Sequence, residues 1–183
     1  MPVYWALCSH DDNENRINTL KYTFYIMLPI IEDCFFAAIA AVGFGSISNI
    51  PTRAFYGCAF LAAAGHGTRT LLMGMSCISI IWASLAGSIV IGLLSIPVSS
   101  HLKTPAESMS YPALLPMIPG MYAYRTINAL LQCTEPSPDN ILIHNLCTMS
   151  YNGLVCTIII LLMLIGVTIP IFFFDKYSFS ATR

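Results

Sequence analysis

From Cys77 to Val98 the chain runs without a single charged residue, and it does so again from Tyr151 to Phe174. A helix crosses a hydrocarbon layer about 30 Å thick with roughly 20 apolar residues, and both stretches reach that length. In lipid each backbone N–H and C=O must be satisfied within the protein, which a helix achieves inside its own segment. The remainder of the chain agrees, with 56% hydrophobic and only 9% charged residues among 183 and a mean hydropathy of +0.72. Soluble domains carry about 25% charged residues. A chain this short still exposes about a third of its unfolded surface, so burial in a globule cannot hide these side chains from water. The expected fold class is therefore all-α: a polytopic membrane protein, a bundle of about five transmembrane helices in contact with the lipid bilayer.

Charge and cysteine usage narrow the function classes. A formal net charge of −1 gives no basic field toward nucleic acid. Seven cysteines, Cys8, Cys34, Cys58, Cys77, Cys133, Cys147 and Cys156, lie scattered with no C-x-x-C spacing, so neither a disulfide framework nor a metal site is expected. Residues 8–16 are polar and acidic, unlike a secretory signal, and the first apolar run reads as a span that stays.

Five spans follow from hydropathy and turn residues. The first runs from about Thr23 to Ser46 and contains Pro29, Glu32 and Asp33. The turn Ser48-Asn49-Ile50-Pro51 closes it. The second covers about Arg53 to Met73, the third Cys77 to Val98, ending near Pro97, and a polar loop follows from Ser99 to Ser110. The fourth, Tyr111 to Gln132, holds Pro112, Pro116, Pro119 and Gly120, so it cannot be one straight helix. A loop from Cys133 to Asn145 precedes the fifth, Tyr151 to Phe174. The domain layout is thus a polar N-terminal segment over 1–22, a membrane domain over 23–174 and a short tail over 175–183. Lysine and arginine placement, with Arg53, Lys103, Lys176 and Arg183 on one side against Arg16 and Lys21, puts the C-terminus in the cytoplasm. Small residues at four-residue spacing (Ala37, Ala41 and Gly45; Ala59, Ala63 and Gly67; Ala83 with Gly87; Ser88 with Gly92) suit close helix contact.

Ionisable groups inside apolar spans usually face a protein interior or a wet cavity. Glu32 and Asp33 point about 100° apart on a helix. Asp33 is an interior acid if the span begins at Thr23, and an interfacial one if it begins at Phe35. His66 and Arg69 are separated by three residues and share a face. Either they meet a ligand, or Arg69 snorkels to an interface while His66 bonds a neighbouring carbonyl. The run Pro112 to Gly120 either is a kinked structural helix or re-entrant hairpin without a ligand or, as in transporters built with broken helices, places free carbonyls at a substrate site. Tyr124 and Arg125 follow it closely. No H-E-x-x-H, G-x-S-x-G or phosphate-binding loop is present, so no enzyme is expected. Single histidines, His66 and His144, do not make a haem site, and no cofactor is expected.

Five stretches carry a family resemblance. Phe35 to Gly45 (FFAAIAAVGFG) is followed by Asn49-Ile-Pro51-Thr-Arg53-Ala and then by Gly65-His66-Gly67-Thr68-Arg69; together they resemble the small membrane subunit of the threonine/serine exporter family. Pro116-Met-Ile-Pro119-Gly120, with Ala123-Tyr124, resembles that family's proline-rich fourth span, and Gly166 to Pro170 also fits. The resemblance covers most of Asp33 to Phe174; residues 1–20 and the loop 133–145 match none of its motifs. It implies a multi-pass protein of the bacterial inner membrane that works with a larger exporter subunit or as a homo-oligomer. It further implies proton-driven efflux of threonine and serine, or of a dicarboxylate such as succinate.

The reading from sequence is a subunit of a secondary exporter for a small carboxylate metabolite. Arg53 and Arg69 are candidates to meet the carboxylate, and Asp33 or His66 to carry a coupling proton. Pro116, Pro119 and Gly120 line the pathway, with Asn49 and Tyr124 as further candidates for substrate binding or coupling. The alternative is a scaffold that assembles or stabilises its partner without transporting anything.

Overall fold

The computed structural model describes residues 12–75, 78–135 and 138–174. Residues 1–11 of the N-terminal segment and the expected tail over 175–183 lie outside the described residues. Every regular element among those described is helical, as hydropathy predicts. Helix α1 (Asp12–Ile47) and helix α2 (Ala54–Met75) form an antiparallel pair. The link between them is short because Asn49 takes a left-handed conformation, φ 53°, which asparagine tolerates better than most residues. The amides of Ser48, Asn49 and Ile50 then turn back onto the carbonyls of Phe44, Ser46 and Gly45, ending α1 with its last carbonyls satisfied.

Two thiols tie this pair in opposite directions. Cys34 on α1 donates to the Ala63 carbonyl on α2 at 3.3 Å, and Cys58 on α2 donates to the Ala41 carbonyl on α1 at 3.3 Å. Each step up one helix is a step down the other, so Asp33 of α1 comes level with the end of α2 that holds His66 and Thr70.

Helix α3 (Ile80–Leu102) packs against α2 and against α6 (Asp139–Phe173). Its inner face is mostly small or polar: Ala83, Ser84, Gly87, Ser88, Gly92, Ser95 and Ser99 are buried there beside Ile91 and Ile96. Where no hydrophobic force draws helices together, such residues allow close backbone approach. At Gly87 an added Cβ would lie 2.8 Å from the Gly65 carbonyl, and at Gly92 it would lie 2.7 Å from the Val167 carbonyl. The α2–α3 and α3–α6 crossings are therefore backbone on backbone. On α2, the closest approach to α3 falls at Gly65, while Ala59 and Ala63 are only half-buried.

Helix α4 (Ala106–Leu114), a single 3₁₀ turn (Leu115–Met117) and helix α5 (Gly120–Thr134) occupy the place of the expected fourth span. Two loops are shorter than hydropathy predicts. Pro97 sits inside α3, which continues to Leu102 and ends at Lys103 in the left-handed region. Helix α6, in the place of the expected fifth span, starts at Asp139, just after Pro138, a position where the missing amide costs nothing. Its first turns are polar and pack against α5, with Asn145 and Asn152 buried. Hydropathy detects only the apolar remainder. Among the described residues, three helical stretches are long and apolar enough to cross a membrane, Met27–Ile47, Ile80–Leu102 and Asp139–Phe173. Helix α2 is 22 residues long, but glycines, threonines, His66 and Arg69 dilute its hydropathy.

The close crossing at Gly92 gives a test. Gly92→Val places a side chain against the Val167 backbone, which cannot yield as a flexible side chain would. A loss of about 3 kcal/mol in unfolding free energy, measured by denaturant titration in detergent, is expected from overpacking. Gly43 has open space around an added Cβ, so Gly43→Ala should stabilise α1 by about 0.5–1 kcal/mol in the same measurement.

Candidate functional site

The proline run breaks its helix at a position that stereochemistry dictates. A residue before proline is driven from helical toward extended backbone, and Ile118, preceding Pro119, is extended at φ −56° and ψ 131°. Pro119 has no amide with which to continue a helical ladder. Gly120 instead starts α5, with Tyr122 and Ala123 donating to the Pro119 carbonyl. The Met117 carbonyl, left without the amide four residues on, accepts from Arg69 Nη1 at 2.9 Å. The Met117 side chain is fully buried, and its methyl fills the notch at Gly87. One arginine thus fastens the break to α2.

Beside this anchor lies a cavity of about 400 Å³, a volume suited to a small ligand. Asp33 enters it from α1; His66, Arg69 and Thr70 enter from α2; Pro116, Pro119 and Gly120 enter from the break. Met73, Ile80, Ile118, Met121 and Tyr122 complete a largely apolar wall. Asp33 Oδ2 accepts from the Thr70 hydroxyl and faces His66 Nδ1 at 3.4 Å. In the tautomer that carries its hydrogen on Nδ1, the ring donates to this oxygen. His66 Nε2 is buried without a hydrogen-bond partner among the described residues. The acid is far more open than the histidine, with side-chain exposures of 44% and 10%. Its neighbour Glu32 points outward and is exposed, as the 100° step between adjacent helical positions requires.

Six of the nine residues singled out from sequence therefore meet in one cavity: Asp33, His66, Arg69, Pro116, Pro119 and Gly120. Asn49 and Arg53 do not line it. They sit in the α1–α2 link, where Asn49 serves the turn and Arg53 is exposed. Tyr124 is 64% exposed on α5. Tyr122, two positions earlier and so about 200° away around the helix, lines the cavity instead. Thr70 was not read from sequence, although its four-residue spacing from His66 puts both on one face.

Arg69→Met tests the anchor. It leaves the buried Met117 carbonyl without a donor and should cost about 2 kcal/mol in unfolding free energy, read by denaturant titration. Arg69→Lys, which keeps a donor but not the planar fork, should lose less.

A family described as "Threonine/Serine exporter, ThrE" matches residues 33–173. An uncharacterized protein of Haemophilus influenzae is 40% identical over 106 residues, which are 58% of this chain and 35% of that protein. The matched region thus spans about a third of that relative's length. No solved structure matches the chain.

Proposed function

The chain belongs to the threonine/serine exporter family, and from that premise we propose that its cavity is the substrate station of a secondary exporter for small carboxylate metabolites. The observation that carries this reading is the meeting of an acidic side chain, Asp33, and a cationic one, Arg69, in one small cavity between membrane helices. Charges at such positions are expensive and tend to mark substrate or proton pathways. Arg69 spends one nitrogen on the Met117 carbonyl, and a guanidinium has further N–H groups to offer a carboxylate. Asp33 offers an acceptor to an ammonium group. A zwitterion such as serine or threonine satisfies both, whereas a dicarboxylate such as succinate sets one carboxylate against Asp33. The geometry therefore favours the amino acid.

In this reading Asp33 and His66 carry the coupling proton, since their contact lets a proton on one alter the charge felt by the other. Helix α2 and the α4–α5 segment complete five crossings alongside the three apolar stretches. The protein works in a bacterial inner membrane, C-terminus inside, together with a larger subunit that supplies the part of the exporter this chain does not span.

Export of labelled threonine and serine, measured in cells producing this chain with its partner, tests the proposal. Neutralising Asp33→Asn or Arg69→Gln should each reduce flux by about one to two orders of magnitude, as expected for losing a charge-assisted hydrogen bond. Unchanged flux in the double variant would sink the assignment. If flux survives substitutions at Asp33 and His66 but bulky residues at Gly45 or Gly67 abolish assembly, the chain is a scaffold for its partner.

A further inference from the structure

Thr70 stands out once hydroxyl partners on α2 are compared. Thr68 makes the ordinary local bond of a helical threonine, to the Ala64 carbonyl one turn back at 2.8 Å. The Thr70 hydroxyl instead leaves its own helix and donates across the α1–α2 crossing to Asp33 Oδ2. His66 Nδ1 faces that same oxygen from one turn away. Oδ1 has no hydrogen-bond partner among the described residues, and the Asp33 side chain is 44% exposed where it lines the cavity.

A carboxyl group's terminal torsion is broad and roughly two-fold, so an untethered aspartate offers either oxygen in many orientations. Two donors converging on one oxygen remove that freedom. They also fill the two lone pairs of Oδ2, leaving Oδ1 as the oxygen with capacity to accept. We propose that Thr70 is a positioning residue that pins Asp33 through Oδ2 and thereby presents Oδ1 to the ammonium group of the transported molecule. The role rests on the exporter reading for its ligand, but the pinning itself does not. Binding benefits because the orientation of the acid is fixed before the ligand arrives.

Two measurements on Thr70→Val, which keeps the shape and removes the hydroxyl, and on Thr70→Ser, which restores it, test the proposal. The first is infrared difference spectroscopy of the full chain in lipid, wild type minus Asp33→Asn, which isolates the Asp33 carboxylate bands. Thr70→Val should shift the asymmetric stretch and Thr70→Ser should leave it in place. The second is counterflow of labelled L-threonine in membrane vesicles from cells producing the exporter. Thr70→Val should raise the KM about five- to tenfold with Vmax nearly unchanged, and Thr70→Ser should return it to the wild-type value. Thr70→Ala serves as a second hydroxyl-free variant if Thr70→Val does not accumulate. An unmoved carboxylate band in the hydroxyl-free variants overturns the pinning. A shifted band with unchanged KM overturns the presentation of Oδ1 to ligand. A shifted band with no threonine counterflow in wild type supports the pinning while refuting the exporter reading.

Discussion

A carbonyl group inside a membrane finds no water in the hydrocarbon, so an interruption of a helix there must be answered by protein or by a wet cavity. In this chain the interruption at Ile118 and Pro119 is answered by Arg69. The solution works in both directions. The arginine satisfies the carbonyl that the break releases, and the carbonyl, with the cavity beside it, gives a cation a place among apolar helices. Each feature stabilises the other, since an unanswered carbonyl or a less well paired guanidinium costs free energy away from water. The break and the charge therefore occur together, and the cavity lies where they meet.

The small-residue seams make that meeting possible. Gly65 and Gly87 bring α2 and α3 into backbone contact, and Met117 reaches into the same notch. The 3₁₀ turn consequently sits close enough for the side chain of Arg69 to span the gap. A larger residue at Gly87 would displace the turn as well as the helix. Packing and site are one arrangement here, since the glycines that let the helices touch also set the distance from α2 to the break.

Much of this was legible in the residues. Uncharged runs identify apolar helices, proline spacing identifies the discontinuity, and the three-residue spacing of His66 and Arg69 puts both on one face. The signals that failed did so for definable reasons. Hydropathy underestimates α6, because Asp139 to Asn152 are polar yet helical through their packing on α5. Asn49 and Arg53 fall within a conspicuous motif, but the motif there is a turn signal: Asn49 supplies the positive φ that ends α1. Tyr124 follows the proline run closely but lies on the face of α5 away from the cavity, and the point at which α5 restarts brings Tyr122 to the cavity instead. Thr70 was hidden because a threonine in a helix normally bonds its own backbone, and the cross-helix partner depends on the register of α1 against α2.

That register explains the unequal exposure of the acid and its neighbours. Asp33 lies about six residues from the Met27 end of its apolar stretch, on the order of 9 Å along the helix. The outer side of α1 nearby exposes Ile31, Phe35 and Phe36, with Glu32 as the one charge among them. A carboxylate 44% exposed among such residues cannot face hydrocarbon, so the open side of the cavity must be wet or covered. His66, one turn from Thr70 and nearly enclosed, is protected by the same helices that leave Asp33 accessible. The acid is therefore the accessible group of the pair, and the histidine stands behind it against Oδ2.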